Sequence, residues 1–325
     1  MWHDLQQLVA QNWIEWFGVN RSSPLRQYAR SSAKILKMFF IRGDQGVVCL
    51  CARASAGRDH ISNELRALDR ILAQCSSTVK AAIPKPLGVI QESSSDLVAA
   101  ETMLQGAPMI PSSSRAERRK HWAQVVGLMG KLHRETCEEH VAWKEETFEQ
   151  YVRKEWEQNL SLASIQNSDG WIRRTEKVIS ETRGNLPIVL AHRDFHPGNI
   201  LVSRPGNVSG LVDWGESSGH NLPFFDWYYF LVSYLSRLTT SSRFDKPVDS
   251  LTAFLYKETP LADEIRHATR SYCLLVDVDP ALAGPMFDLY ALTHLPCVFK
   301  YCLNLKDDPE SLENCILNES NIFRN

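Results

Sequence analysis

Residues 190–202, LAHRDFHPGNILV, place polar side chains in a short loop between two apolar segments. Asp194 and Asn199 stand five residues apart, with Pro197 and Gly198 between them. Both apolar ends have the composition of buried strands, which predicts a loop at the edge of a sheet. A carboxylate and an amide oxygen held in one rigid loop can face a single volume.

Asp213 follows Asn199 by fourteen residues, at the end of the apolar segment VSGLVDW. A strand there delivers Asp213 to the side of the hairpin that carries the loop. Two carboxylates and one amide oxygen suit Mg²⁺, which takes one or two protein oxygens together with phosphate oxygens and water. Phosphoryl transfer needs such ligands and a base beside the attacking hydroxyl. The residues therefore predict metal-assisted chemistry on a nucleotide phosphate.

A structural interpretation of the loop is also open. Asp and Asn stabilise turns by themselves, so Asp194 and Asn199 alone would be consistent with an Asx turn and a cap. Three oxygen ligands, each in the expected strand-loop context, favour the metal site. His196 either contacts the γ-phosphate or fills the loop, and the residues leave both open.

The elements that must position this loop divide the 325 residues into two parts. Residues 1–104 contain a first helix, a hairpin of KILKMFFIRG and VVCLCARA around GDQG, a helix with Asp59 or Ser62 as its cap, and two further strands. Residues 105–325 are mostly helical, including RAERRKHWAQVVGLMGKLHRE, two helices within 144–182 and helices from 224 to about 324. Strands followed by helices predict an α+β, two-lobed plan.

The composition excludes several classes of protein. The apolar fraction of 44% and charged fraction of 23% are those of a globular protein, and the net charge of −2 with scattered Lys and Arg argues against a nucleic-acid partner. No apolar run reaches the roughly 18 residues of a membrane span, and no signal peptide is recognisable. Eight cysteines without a CxxC pair predict reduced thiols in a cytoplasmic protein.

HRDFHPGN followed by LVDWGESSGHNLPFFDWYY resembles the catalytic and metal loops of the aminoglycoside phosphotransferase and choline kinase family. This family has a bilobal protein-kinase-like fold, with a small β-rich lobe and a larger helical lobe. The resemblance implies an ATP- and Mg²⁺-dependent kinase whose acceptor is a hydroxyl of a sugar, amino sugar, amino alcohol or similar small molecule. Asp194 would be the catalytic base, His192 would hold the loop from beneath, and Asn199 and Asp213 would bind Mg²⁺.

The same resemblance extends into the aromatic run that follows. Asp226 would be a buried acid that ties the catalytic loop to the helix behind it. An unpaired carboxylate in such surroundings would be very costly, which favours a structural role over a catalytic one. Trp227, Tyr228 and Tyr229 are expected in the core.

The N-terminal part departs from the family pattern because it lacks a lysine on the expected strand. The resemblance implies a strand lysine paired with a helix glutamate, and Glu64 fits the glutamate. VVCLCARA offers Arg53 where the lysine is expected, and arginine can form bidentate pairs with carboxylate and phosphate. We favour Arg53, with Lys37 on the preceding strand as the substitute. A solvated Arg53 at a strand end is the alternative.

The glycine-rich phosphate loop is replaced by Ser31 and Ser32, which resemble the serine-containing loop of the branch that phosphorylates amino sugars or cell-wall sugars. Backbone N–H groups and hydroxyls can still cradle a phosphate there. Adenine would contact the strand LVAAETML through backbone groups from Glu101 to Met103.

Two functions remain after this reading. The first is the small-molecule kinase. The second is a pseudokinase that binds a nucleotide or a partner without catalysis, which the missing lysine and glycines favour and the three metal-site oxygens oppose. A protein kinase proper is disfavoured because the residues after Asp213 do not resemble an activation segment.

Overall fold

The computed structural model describes residues 2–18, 25–31, 34–52, 54–93, 96–142, 146, 149–153, 185–204, 206–239 and 260–293. The first part is an antiparallel sheet of five strands in the order β1-β2-β3-β5-β4. Its strands are β1 (Arg26–Ser31), β2 (Leu36–Arg42), β3 (Gln45–Ala52), β4 (Pro86–Glu92) and β5 (Leu97–Thr102). The helices of this part are α1 (Trp2–Phe17), α2 (Ser55–Gln74) and the short α3 (Ser77–Lys80).

The predicted hairpin is present. Strands β2 and β3 pair from Leu36↔Cys51 to Arg42↔Gln45, which leaves Gly43 and Asp44 as the turn. Gly43 has φ 65°, a conformation that glycine adopts at little steric cost.

Helix α2 begins earlier than expected. The predicted caps Asp59 and Ser62 are wrong, because both residues lie inside the helix and Ala54 occupies the N-cap position without a side-chain bond. The N–H groups of Gly57 and Arg58 both donate to the carbonyl of Ala54, at 3.0 Å. The first turn is therefore closed by backbone bonds immediately after β3, and it does not need a polar cap.

The two faces of the five-stranded sheet have different partners. Helix α1 covers one face with Leu5, Val9 and Trp13, which pack against residues of β2 and β3 such as Met38 and Cys49. The opposite face forms a second cluster, in which β2, β3 and β5 pack against α2. Since side chains alternate along a strand, the even-numbered residues of β3 face α2.

The second part is mainly helical. Its helices are α4 (Arg115–Glu135), α5 (Phe224–Thr239), α6 (Pro260–Leu275) and α7 (Ala283–Thr293), with a π-helical segment at Glu149–Arg153 and 3₁₀ turns at Pro197–Asn199 and Pro280–Leu282. Its strands are β6 (Ala107–Pro108), β7 (Glu139–Ala142), β8 (Asn185–Ala191), β9 (Ile200–Ser203), β10 (Asn207–Leu211) and β11 (Ser218–Asn221). They form two sheets, ordered β10-β9-β6 and β11-β8-β7.

The α+β class is confirmed, with a β-rich first part and a helical second part. The largest core takes in the second half of α2 and α3 together with α4 to α7, so packing continues across residue 105, and the division at 104/105 stays a prediction. The helices predicted within 144–182 and beyond 293 fall largely outside the described residues. Among the described helices, none has both the length and the apolar character to cross a membrane. The described cysteines are thiols.

Candidate active site

The loop after β8 is held from behind by a buried carboxylate. Oδ2 of Asp226 accepts the N–H of His192 at 2.7 Å, and Oδ1 accepts the N–H of Arg193 at 2.8 Å. These two bonds fix Arg193 at φ 66°, a left-handed conformation that a non-glycine residue rarely keeps without such support. Asp226 therefore sets the path of the chain into Asp194.

Asp226 keeps its charge although it is 1% exposed. Burial opposes ionisation, but the hydrogen bond and charge of His133 and the N–H of His192 outweigh it and lower the pKa of Asp226. His133 Nε2 lies 3.2 Å from Oδ2 of Asp226, and its Nδ1 lies 2.8 Å from the hydroxyl of Tyr272. A buried chain of polar groups therefore connects α6 and α4 to the loop.

The carboxylate of Asp194 is oriented by two donors. Nδ2 of Asn199 donates to Oδ2 of Asp194 and to its backbone carbonyl, both at 3.0 Å. The hydroxyl of Tyr229, on α5, donates to Oδ1 of Asp194 at 3.1 Å. Because the amide nitrogen of Asn199 is committed to Asp194, its amide oxygen remains for a cation.

Asp213 lies two residues beyond the end of β10, at φ 73°. Its Oδ1 is 3.1 Å from Nζ of Lys37 and 3.4 Å from Nε2 of His60, on α2. Burial would raise the pKa of Asp213, but the hydrogen bond from His60 and the charge of Lys37 hold it well below its ordinary value. The side chain is an ionised carboxylate that is 31% exposed.

Helix α2 reaches the same segment through Glu64. Oε1 of Glu64 accepts the N–H of Trp214 at 3.2 Å, directly after Asp213. Glu64 is fully buried, and burial raises its pKa against the opposing charge of Lys37. Glu101, on β5, is 3% exposed and its pKa is raised mainly by burial and then by Glu64. The carboxyl groups of Glu64, Glu101 and Asp213 thus lie around Lys37.

Lys37, Glu101 and Asp213 border a cavity of about 360 Å³. Apolar and aromatic side chains from both parts of the chain line it together with Lys37, Asn199 and Asp213. The described residues therefore offer Mg²⁺ one carboxylate and one amide oxygen at the wall of a cavity. Hard oxygens of this number fit a magnesium ion that takes its other ligands from phosphate and water.

Residues 34–250 match the model of the phosphotransferase enzyme family. The chain belongs to that family. Its fold agrees with a putative aminoglycoside phosphotransferase from Ralstonia eutropha JMP134, at a TM-score of 0.53 and 12% identity over 98% of both chains. It also agrees with APH(2″)-IIIa in complex with GDP and kanamycin, at 0.53 and 14% identity over 97% of this chain and 99% of that one. No curated protein matches the chain.

A thermostable mutant of APH(4)-Ia, solved with ADP and hygromycin B, has a TM-score of 0.50 and 14% identity over 97% of this chain and 98% of its own. At such identities the likeness establishes the kinase-like fold. Family membership identifies the chain as a phosphotransferase that acts on a hydroxyl group.

Within this phosphotransferase, the two predicted histidines belong to the loop itself. The buried His192 has its Nε2 3.1 Å from the carbonyl of Val212, while its Nδ1 accepts the N–H of Asp194 at 3.3 Å. Burial lowers the pKa of His192 and of His196. Nδ1 of His196 accepts the N–H of Gly198 at 2.9 Å, so this ring shapes the loop, and its Nε2 lies 3.6 Å from Oδ2 of Asp194.

Some of the backbone groups expected to contact adenine are already hydrogen-bonded within the protein. The N–H of Thr102 donates to Lys85 and the N–H of Met103 donates to Gly46, at 2.9 and 2.8 Å. A base at this strand would therefore have to use carbonyl groups of this stretch or the next residue, Leu104, which also lines the cavity.

Two of the residues predicted for the phosphate end, Ser32 and Arg53, lie outside the described residues. Ser31 ends β1 and lines the cavity. Lys37 is brought to Asp213, with 3.1 Å between its Nζ and Oδ1 of the carboxylate.

From the sequence, the place of Tyr229 was predicted wrongly, and His60 and Glu216 were not identified. Tyr229 was expected in the core, yet it is partly buried and its hydroxyl reaches Asp194, whereas Trp227 and Tyr228 are core residues. His60 lies one helical turn before Glu64, a spacing that places both on one face of α2 and could have indicated the contact with Asp213. Glu216 binds His60 at 3.2 Å and also pairs with Lys34.

Proposed function

We propose that the chain is an ATP- and Mg²⁺-dependent kinase of a small molecule, with a sugar, amino sugar, amino alcohol or related metabolite as the acceptor. The observation that carries the proposal is that Asn199 and Asp213 line one cavity while Asn199 also donates a hydrogen bond to the carboxylate of Asp194. The solved structures of similar fold support a nucleotide as the phosphate donor, since APH(2″)-IIIa was solved with GDP and APH(4)-Ia with ADP.

Each of the three residues has a separate task. Asp194 accepts the proton of the acceptor hydroxyl as its oxygen attacks the γ-phosphorus and the bond from that phosphorus to the leaving ADP breaks. The donors Tyr229 and Asn199 keep the carboxylate aimed at that hydroxyl. Asn199 and Asp213 would hold Mg²⁺, which neutralises charge on the transferred phosphate. Asp226 and His192 keep the loop in its strained path. Positioning and charge stabilisation then supply the rate, as in other phosphoryl transfers.

The test is a screen of ADP release from Mg·ATP against a panel of sugars, amino sugars and amino alcohols, with product detection by mass spectrometry. Asp194→Asn is the matched control, because it keeps the shape of the side chain and removes the base. We expect one acceptor class to be phosphorylated, and the variant to lose roughly two powers of ten in rate or more while still binding ATP.

Two outcomes would contradict the proposal. Nucleotide binding without transfer to any acceptor would favour the pseudokinase. Equal turnover by the parent and Asp194→Asn would mean that this loop does not supply the base.

A further inference from the structure

Among the described residues, the cation nearest to Oδ1 of Asp213 comes from β2. Lys37 lines the cavity with a side chain that is only 18% exposed, and its Nζ lies 3.1 Å from Oδ1 of Asp213. Besides Asp213, the carboxylates of Glu64 and Glu101 attract its ammonium group.

The register of the sheet shows which residue Lys37 faces. Lys37 lies directly opposite Leu50 on β3, and residues opposite each other on antiparallel strands carry their side chains on the same face, about 5 Å apart. Val48 lines the cavity and stands two residues before Leu50, so Leu50 faces the same side. Leu50 is fully buried in the cluster that contains Ile61 of α2.

Residues that lie opposite one another on neighbouring strands form rows across the sheet. Each row contributes one kind of side chain to the cavity wall. One row contains Tyr28, Phe39 and Val48, an apolar and aromatic surface suited to a nucleotide base. The next row along the strands contains Arg30 and Lys37, which both line the cavity. The cations thus stand one step beyond the apolar row, on the side of Asp213.

We infer that Lys37, delivered from strand β2, is the cation that binds the nucleotide phosphates, and that Leu50 fills the place on β3 from which such a cation would otherwise reach Glu64. The inference rests on the proposed function. A triphosphate carries about four negative charges, of which Mg²⁺ cancels only part, so a cation of this sheet must approach it. Lys37 already lies beside the carboxylate that would hold the metal.

The buried acids around Lys37 fit this assignment. Within the described part of the chain, Oε2 of Glu64 and Oε2 of Glu101 have no hydrogen-bond partner. Buried carboxylate oxygens without partners are costly, and a nearby cation offsets that cost. Glu64 and Glu101 are close to position 50 as well as to Lys37. Glu64 lies on the helix that packs against Leu50, and Glu101 lies opposite Val48, two residues before Leu50 on the same face.

The experiment exchanges the two residues. Mg·ATP affinity, measured by titration calorimetry together with the thermal midpoint, is compared for the parent, Lys37→Leu, Leu50→Lys and the double variant Lys37→Leu with Leu50→Lys. Lys131→Leu, an exposed lysine on α4, is the control. We expect Lys37→Leu to weaken binding by about tenfold or more, and the double variant to recover most of that loss. Lys131→Leu should bind as the parent does.

Arg53→Leu distinguishes between the two candidate phosphate-binding cations, Lys37 and Arg53. If Lys37 binds the phosphates, Arg53→Leu must keep the Mg·ATP affinity of the parent. A folded double variant that binds no better than Lys37→Leu would overturn the equivalence of positions 37 and 50. Parent affinity in Lys37→Leu, or a loss confined to Arg53→Leu, would overturn the role of Lys37. If the double variant does not fold, the comparison of Lys37→Leu with Arg53→Leu still decides. A parent that binds no nucleotide would instead overturn the proposed function, and this inference with it.

Discussion

The hydroxyl of Tyr229 donates a hydrogen bond of 3.1 Å to Oδ1 of Asp194, so a helix of the second part orients a carboxylate of the loop after β8. The ring of Tyr229 also meets the edge of His196, at 6.2 Å between ring centroids. Asp194 is thereby held from two directions, by Asn199 within the loop and by Tyr229 from α5.

Tyr229→Phe should slow phosphoryl transfer by about threefold to tenfold and leave the affinity for Mg·ATP unchanged, because it removes one hydrogen bond to Asp194 and keeps the packing. Steady-state kinetics with the acceptor found by the screen, and calorimetry with ATP, would measure both. Tyr234→Phe is the control on the same helix, since that hydroxyl accepts the N–H of Ser112 and does not contact Asp194. An equal effect of the two variants on turnover would contradict the positioning role of Tyr229.

Asp213→Ala should abolish the gain in ATP affinity that Mg²⁺ produces, because it removes a carboxylate from the metal site. Without Mg²⁺ the same variant should bind ATP at least as well as the parent, since Lys37 and His60 lose the negative charge that they now neutralise. Calorimetry of ATP binding with and without Mg²⁺ tests both predicted changes in affinity. Glu216→Gln is the control, because Glu216 also pairs with His60 but is not a predicted metal ligand. A response to Mg²⁺ that persists in Asp213→Ala would exclude the assignment.

Arg70→Ala should lower the thermal midpoint and weaken ATP binding together. The guanidinium of Arg70, on α2, donates to the carbonyls of Gly219 and Thr136 at 2.8 Å each and pairs with Glu138 at 2.9 Å. Loss of these bonds releases α2, and with it Glu64, at a cost of about 1–3 kcal/mol. Arg66→Ala, at an exposed position of the same helix, should change neither quantity. A silent Arg70→Ala would show that α2 is held by its apolar contacts alone.

The free energy of unfolding should depend on pH through the protonation of His60. Its hydrogen bonds to Asp213 and Glu216 raise the pKa of His60 to about 9, above the roughly 6.5 of an unfolded histidine. A raised pKa stabilises the fold fully below about pH 6.5, and this stabilisation disappears as the pH rises toward 9. In chelator and without nucleotide, the difference in the free energy of unfolding between the parent and His60→Gln should shrink over that interval. A difference that stays constant from pH 6 to 10 would contradict the assigned ion pairs.

The sequence alone determined the candidate site of the second part because its residues lie close together along the chain. Asp194, Asn199 and Asp213 fall within one stretch of twenty residues that forms a single strand-loop-strand unit, so their types and spacing specify one small volume. The hairpin of β2 and β3 followed in the same way from its turn residues and its alternating pattern. The start of α2 did not, because the strand before it places Ala54 where backbone bonds close the first turn without a polar cap.

Only the tertiary structure decided which side chains from distant parts of the sequence reach Asp194, Asn199 and Asp213. Lys37 reaches Asp213 because the pairing register sets it opposite Leu50, and a shift of one residue would turn it to the other face. Tyr229 reaches Asp194 because of the rotation of α5 against the loop, and its aromatic neighbours at the adjacent positions are core residues instead. His60 meets Asp213 only after α2 has docked. Each of these contacts joins residues more than thirty positions apart, and such contacts depend on how whole elements pack, which spacing along the chain does not encode.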